Sequence, residues 1–529
     1  MKVPIRPQGS AAWLGFAILL TGLCAQAQLI DRTKAPNTAG EGVNKSLADQ
    51  VGAGRGDPLT PDSSSFIIQR DPFRSVRRGR QLFQRKFSRD EGQGPLTLDG
   101  RGDINTINGI GAGLADSCAG CHGRPRGSAG FGGDVATRPD SRDAPHLFGL
   151  GLKEMLADEI TSDLRQTRAQ AIDEARARGR QVTLPLVSKG IQYGSITASP
   201  GGSVDTAHVT GVDPDLRVRP FFAHGGTISI REFIVGALDA EMGLEAADPD
   251  LLLASGGGRV TTPSGMVLDG ALDRVEAPPA NDAFADPDGD GVTNEVPTSL
   301  VDHWEFYLLN YFRAGTGRQT NESSKGRRVF SDIGCTGCHV PDLTVEHDRR
   351  VADVETVHDP VNGIFNELFA TATRLIVTSD DGSGFPPLKR PAGQPFVVGN
   401  IFTDFKRHDL GPNFHERNYD GTLRRELLTT ALWGVGSTAP YGHDGRSMTL
   451  RDVILRHGGE AQAQRDAFAR LNENKQNELI AFLNSLILFP PDDTASNLAP
   501  GNRQAQGFPQ FGHGSIRLTT LFNDPTDLE

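Results

Sequence analysis

Cys118-Ala119-Gly120-Cys121-His122 and Cys335-Thr336-Gly337-Cys338-His339 decide how this 529-residue chain is read. Each is a C-x-x-C-H motif, and together they use four of the five cysteines. Two thiols on one helical turn meet the two vinyl groups of a single haem, and the adjacent imidazole reaches the iron from one face. Two disulfides would need no histidine after each pair. A zinc site needs four convergent ligands, and a thioredoxin-like pair sits in a βαβ context. The pattern is that of two covalently bound haem c groups held by Cys118, Cys121, Cys335 and Cys338, with His122 and His339 as the proximal iron ligands.

The flanks of the two motifs resemble each other. Gly79-Arg80-Gln81-Leu82-Phe83 precedes the first and Gly326-Arg327-Arg328-Val329-Phe330 the second, each reading as a short helix. A glycine-rich insertion, Gly92 to Leu114, separates the first helix from its cysteines. This repetition predicts a mainly α chain of two cytochrome c-like units with long loops. The first unit is expected over residues 75–298 and the second over 299–490, with an N-terminal arm over 28–74 and a tail over 491–529. Leu300, Val301, Trp304, Leu308 and Tyr311 share a 3.6-residue face and predict a helix over 299–313. Leu471, Leu479, Phe482, Leu483 and Leu486 do the same over 465–488. Residues 155–180, charged and alanine-rich, predict a surface helix, and residues 340–400 read as loop.

Composition narrows the function classes. The net charge of −12 opposes a nucleic-acid partner, which needs clustered Lys and Arg. No internal run approaches the ~20 apolar residues of a membrane span. Lys2 and Arg6 precede an apolar run from Ala11 to Leu23, and Ala25-Gln26-Ala27 is an A-x-A cleavage site. Residues 1–27 therefore read as a secretory signal peptide, which expects a periplasmic or secreted chain.

The C-terminal half resembles a known family. Met448-Thr449-Leu450-Arg451-Asp452-Val453-Ile454-Leu455-Arg456-His457-Gly458-Gly459, preceded by Ala439-Pro440-Tyr441-Gly442-His443-Asp444-Gly445-Arg446, is similar to the C-terminal signature of the di-haem oxidoreductases, often labelled thiol oxidoreductases. Asp404 to Pro412, Leu432-Trp433-Gly434-Val435-Gly436, Arg142-Asp143-Ala144-Pro145 and Phe148-Gly149-Leu150-Gly151-Leu152 resemble that family too. Its relatives include bacterial di-haem cytochrome c peroxidases and the di-haem enzyme that forms tryptophan tryptophylquinone. The resemblance implies that His457 is the second axial ligand of the second haem. Two imidazoles saturate an iron and give a low-spin, electron-transferring centre. A helix-end residue before Gly458-Gly459 is the alternative for His457. Tyr441 and His443 are candidates for supporting donors there.

At the first haem the resemblance points to Glu241-Met242-Gly243, whose acid matches the peroxidases' distal acid–base. Ala223 stands where the family has a tryptophan between the haems, and the spacing to the acid is two residues shorter. His224 follows, open to two roles: a distal donor, or a ligand that closes the iron. Trp433 and Trp304 are candidates for the lost aromatic, though each reads first as core.

Asp286-Pro287-Asp288-Gly289-Asp290-Gly291-Val292-Thr293-Asn294-Glu295 adds a candidate calcium loop. Asp286, Asp288, Asp290 and Asn294 occupy EF-hand positions 1, 3, 5 and 9, but Pro297 stands where the bidentate glutamate belongs. Glu295 is a candidate substitute. The function expected is an exported di-haem redox enzyme, peroxidase-like. It would take electrons from a small redox protein or other donor at the second haem and pass them to peroxide at an open first haem. A pure electron-transfer cytochrome, and an oxygenase resembling the rubber oxygenases, are the alternatives.

Overall fold

The computed structural model describes residues 46–94, 115–123, 134–135, 142–358, 368–417, 422–488 and 515–516. The leader at 1–27, much of the glycine-rich insertion and nearly all of the tail lie outside them. Two helix crossings organise the described chain. The helix Pro72–Gln84 packs on Thr298–Leu309, and Asn321–Asp332 packs on Glu473–Asn484. Each crossing closes on a glycine of the repeated helix. A β-carbon at Gly79 would overlap the carbonyl of His303, and one at Gly326 would overlap the carbonyl of Glu478. The phenylalanines four residues on, Phe83 and Phe330, are buried in the two cores. Helix Thr298–Leu309 is apolar on all sides because it is enclosed on all sides, from Ser299 to Leu309. Its side chains belong to the larger hydrophobic core, together with Phe83.

The expectation of a mainly α chain is corrected. The described residues are 37% helix and 18% strand, a mixed α/β architecture with several small sheets. The strands come from the connections between the helical crossings. Val182–Ser188 pairs antiparallel with Ile191–Ala198 across the tight turn Lys189-Gly190, both with positive φ. Alternating Val182, Leu184, Leu186 and Ile191, Tyr193 set the two faces. Residues 340–400 are likewise built of strands. Ala352–His358 pairs with Leu368–Arg374, which also carries Ser515–Ile516 in parallel, and Phe396–Val398 pairs with Leu343–Val345.

Helix Leu150–Arg178 runs for 29 residues. Its first half is core, through Leu152, Met155, Leu156, Ile160 and Leu164, which corrects the surface helix expected there. The amphipathic stretch 465–488 breaks into two helices, Gln462–Arg470 and Glu473–Asn484. Asn472 caps the second by accepting from the Lys475 N–H, so the break is a helix start rather than a kink.

A buried ionic node fixes the first unit. Arg231, fully enclosed, bonds Asp248 through Nε at 2.9 Å, Asp302 at 2.9 Å and Glu305 at 2.8 Å. Arg55 joins from the arm, bonding Asp302 at 2.6 Å and Asp250 at 2.8 Å. The node ties helix Ile230–Ala237 to helix Thr298–Leu309.

Substitution at the second crossing has a defined cost. Gly326→Ala forces the two helices apart and should destabilise the holoprotein by about 1–3 kcal/mol, the range for overpacking a core. Urea unfolding followed by circular dichroism measures it, and an unchanged midpoint would show that the crossing yields freely.

Candidate functional site

The first motif lies on the helix Cys118–His122, capped by Ser117, whose Oγ accepts from the Gly120 N–H at 3.1 Å. The imidazole of His122 donates from Nδ1 to the Pro145 carbonyl at 2.8 Å. That bond fixes the tautomer and leaves Nε2 as the lone-pair donor, the arrangement metal-ligating histidines use. The second motif repeats it: His339 donates from Nδ1 to the Phe402 carbonyl at 3.0 Å. Burial holds both imidazoles neutral, pushed down to about 4.

The four thiols are free. Burial pushes Cys118 and Cys335 up to about 12, the opposite of the low-pKa thiol a redox pair uses. Neutral thiols and uncommitted Nε2 atoms fit a thioether-linked haem with His axial ligation, and His122 and His339 are the residues that would hold the iron.

The far side of the second site is built by three loops. His457 ends the helix Leu450–Arg456 and donates from Nδ1 to the Val453 carbonyl at 2.7 Å, so its Nε2 is also left for a metal. It is close enough to His339 for its charge to lower that ring's pKa further. Burial lowers its pKa too. Phe414 packs edge-on against the His457 ring, with centroids 5.3 Å apart, and Arg456 sits over Phe414 at 4.3 Å. Arg456 also bonds Asp444, at 2.8 Å through Nη1, which pins the 441–447 turn against the helix. His443 faces Phe414, and its carbonyl accepts from the Asp143 N–H at 3.0 Å, stitching this turn to the segment after the first motif.

Cys338, Asp404 and His408 converge as a metal site would. The ring of His408, however, spends both nitrogens on carboxylates, Asp404 at 3.0 Å and Glu460 at 2.8 Å. Burial opposes its charge, but the hydrogen bonds to Asp404, Cys338 and Glu460 outweigh it and carry the pKa up to about 11. An imidazolium has no lone pair for a metal. His408 thus stands as a fixed positive charge beside the second motif.

The two proximal histidines are joined by a run of hydrogen bonds and peptides. Pro145, the acceptor for His122, is followed by His146. That ring accepts the Phe148 N–H at Nδ1, 3.2 Å away, and bonds the backbone of Trp433. Leu432, next to Trp433, donates its N–H to Ile401 at 3.0 Å. Phe402, next to Ile401, accepts from His339. Trp433 is seated by Gly149, where a β-carbon would overlap the indole ring. Of the two tryptophans singled out in the sequence, Trp433 lies on this seam. Trp304 packs instead against Phe87, with centroids 6.0 Å apart, in the first core.

The first site differs on its far side. Helix Ile230–Ala237 passes directly into a π turn, Leu238–Met242, that carries Glu241. The Ala115 N–H, just before the motif, donates to the Glu241 carbonyl at 3.4 Å. Burial raises the Cys121 thiol, and the Glu241 carboxylate adds to the rise, so the acid lies within electrostatic reach of the motif. His224 is half-buried on the preceding turn, its ring stacked on Phe222. The neighbouring Ala223 carbonyl accepts from the Leu428 N–H at 2.8 Å.

The acidic loop draws in partners the spacing did not reveal. Asp286, Asp288 and Asp290 converge, and Glu245 and Glu295 converge on the same Asp288. Asn294, by contrast, is exposed and belongs to neither group.

Residues 343–486 match the model of the family described as "Di-haem oxidoreductase, putative peroxidase". No curated protein matches the chain. The matched stretch holds Asp404, His408, His443 and His457, the far side of the second site, and begins just after His339. Over these residues the chain is similar to that family, in agreement with the resemblance read from residues 404–459. Among the described residues no helix is long and apolar enough to cross a membrane.

The charge on His408 has a pH signature. Its pKa is raised on folding, so its stabilising effect is complete below about pH 6.5, the unfolded value, and fades as pH climbs towards 11. His408→Gln should therefore cost about 1.5–3 kcal/mol at pH 6, the range for hydrogen bonds to a charged group, and progressively less at pH 9 and above. Urea midpoints of the two proteins across that range give the difference; a constant gap would mean the ring is neutral.

Proposed function

We propose that this chain is an exported di-haem c-type oxidoreductase with peroxidase-like activity. Haem, when bound, supplies an iron that exchanges single electrons and takes a small oxidant in any open axial position. The observation that carries the reading is the asymmetry of the two sites. Beside His339 stands a second buried imidazole with its Nε2 uncommitted, His457. Beside Cys121 stands a carboxylate, Glu241, on a π turn, a local geometry frequent at functional sites. The second site is suited to receiving electrons from a small redox protein or other donor, and the first to reducing peroxide.

The chain's own residues then have defined tasks. His339 and His457 are the residues that would hold the second haem iron, and a pair of imidazoles would suit it to passing single electrons. His122 holds the first centre from one face. Glu241 takes the proton from the near oxygen of a bound peroxide and returns it to the far one, which makes the leaving group water. His224 is a distal donor. The run His122–Pro145–His146–Trp433–Leu432–Ile401–Phe402–His339 couples the two sites and stands in for the aromatic replaced by Ala223. Covalent and hydrogen bonds carry electronic coupling further than gaps of the same length. The leader at 1–27 supports export, where an oxidising compartment and haem attachment coincide.

Optical and EPR spectra of the holoprotein, with and without peroxide, test this. One low-spin and one high-spin ferric centre are expected, with only the latter changing on peroxide. Two six-coordinate centres indifferent to peroxide in every redox state would establish an electron-transfer cytochrome instead. His457→Ala should turn the low-spin centre high-spin without loss of covalent haem. Glu241→Gln should keep both spectra and lose roughly 10²–10⁴ in peroxide-dependent turnover, the usual weight of a proton relay.

A further inference from the structure

Five carboxylates from two distant segments meet on the flank of the π turn. Asp286, Asp288 and Asp290 each offer an oxygen within 4.8 Å of the others, and Glu245, Asp288 and Glu295 do likewise. Among the described residues no lysine or arginine pairs with any of the five. Two of them are nearly enclosed, Glu295 at 3% exposure and Glu245 at 8%. Glu295 spends Oε2 on the Glu245 N–H at 2.6 Å, but its Oε1 is buried with no hydrogen-bond partner among the described residues. A buried carboxylate oxygen without a donor costs the full desolvation of that atom. In a cluster of like charges, a bound cation would both satisfy that atom and offset the repulsion.

We propose that Glu245, Asp286, Asp288, Asp290 and Glu295 form a calcium site that fixes the π turn bearing Glu241. The donors are all carboxylate oxygens, the chemistry of a hard divalent cation. Their number and mixed origin suit the flexible coordination of calcium better than the strict octahedron of magnesium. Glu295 and Glu245 supply what the loop lacks at Pro297, and Asn294 takes no part. Glu245 lies four residues beyond Glu241, and the links between are tight. The Leu244 N–H donates to the Leu238 carbonyl at 3.0 Å, and the Gly243 N–H to the Asp239 carbonyl at 3.0 Å. Ala246 also bridges Val296 in parallel. A cation that clamps Glu245 to Asp288 and Glu295 therefore anchors the end of the turn on the 286–296 segment. Burial, then the neighbouring carboxylates, lift Glu245 to about 7 and Glu295 to about 8, in keeping with a cluster built around a missing positive charge.

The role assigned to Glu241 rests on the peroxidase-like reading; the cation site does not. The test uses chelated, dialysed holoprotein titrated with calcium chloride or magnesium chloride. Calcium should bind, by calorimetry, and raise the melting temperature as its concentration passes the dissociation constant, because an ion that binds only the folded state stabilises it. Magnesium should do less. Glu295→Gln should weaken calcium binding by roughly tenfold or more, whereas Asn294→Ala leaves it within about twofold. A melting curve indifferent to calcium, or equal losses in the two variants, overturns the site. Chelation should also slow the optical response of the first centre to peroxide and leave the second centre's spectrum unchanged. If calcium binds but the peroxide response is untouched by chelator, the clamp on Glu241 is overturned. A wild type that ignores peroxide while binding calcium defeats the peroxidase reading instead and leaves the calcium site standing.

Discussion

Two hydrogen bonds, from the Nδ1 of His122 to Pro145 and from the Nδ1 of His339 to Phe402, set the terms for the rest of the molecule. Burial keeps each imidazole neutral, and each bond fixes its tautomer and aims the remaining nitrogen at a fixed point. Each also hands the motif on to the next stretch of chain. The acceptors are backbone carbonyls, so the positions of residues 145 and 402 must be held by something else. They are held by one another, through His146, Trp433 and Leu432. Orienting the two sites and joining them are one structural task.

The ionic node around Arg231 does the corresponding work on the far side of the first site. A guanidinium enclosed among Asp248, Asp302 and Glu305 is a costly arrangement unless every donor is used, and a buried charge cannot shift without leaving a partner exposed to the cost. That rigidity is passed to helix Ile230–Ala237, whose end becomes the turn with Glu241. The segment is held at its start by the node and at its end by the contacts of Glu245.

The haem motifs, the helix before each and the far-side histidine of the second site were legible in the sequence because each is a local pattern. The Gly-Arg-x-apolar-Phe repeat shows in the residues alone; that its glycines are the contact points of two crossings does not, since the partners are the carbonyls of His303 and Glu478. Val182 to Ala198 alternates and turns on Lys189-Gly190, so this hairpin follows a period of two, distinct from the helical period that predicts a mainly α chain. Glu245 could not be read into the acidic loop, because its place depends on how the chain between the two closes. The partners of His408 are set by the fold: Asp404 lies three residues before its strand Arg407–Asp409, and Glu460 lies just beyond the helix of His457. The bond from His146 to Trp433 involves main-chain atoms, which no side-chain pattern announces.

The π turn carries a consequence for register. A regular helix advances about 100° per residue, so continuing Ile230–Ala237 without the wider loop would swing every later side chain around the axis. The single added residue is thus a rotational offset, stored in the backbone, that sets which way residues 239 to 242 face. A chain shortened by one position in this turn could keep its helix, its core and its acid, and still present a different side chain to the cysteines of the first motif. Sequence length across Leu238–Met242, rather than the identity of any one residue there, fixes the bearing of the acid.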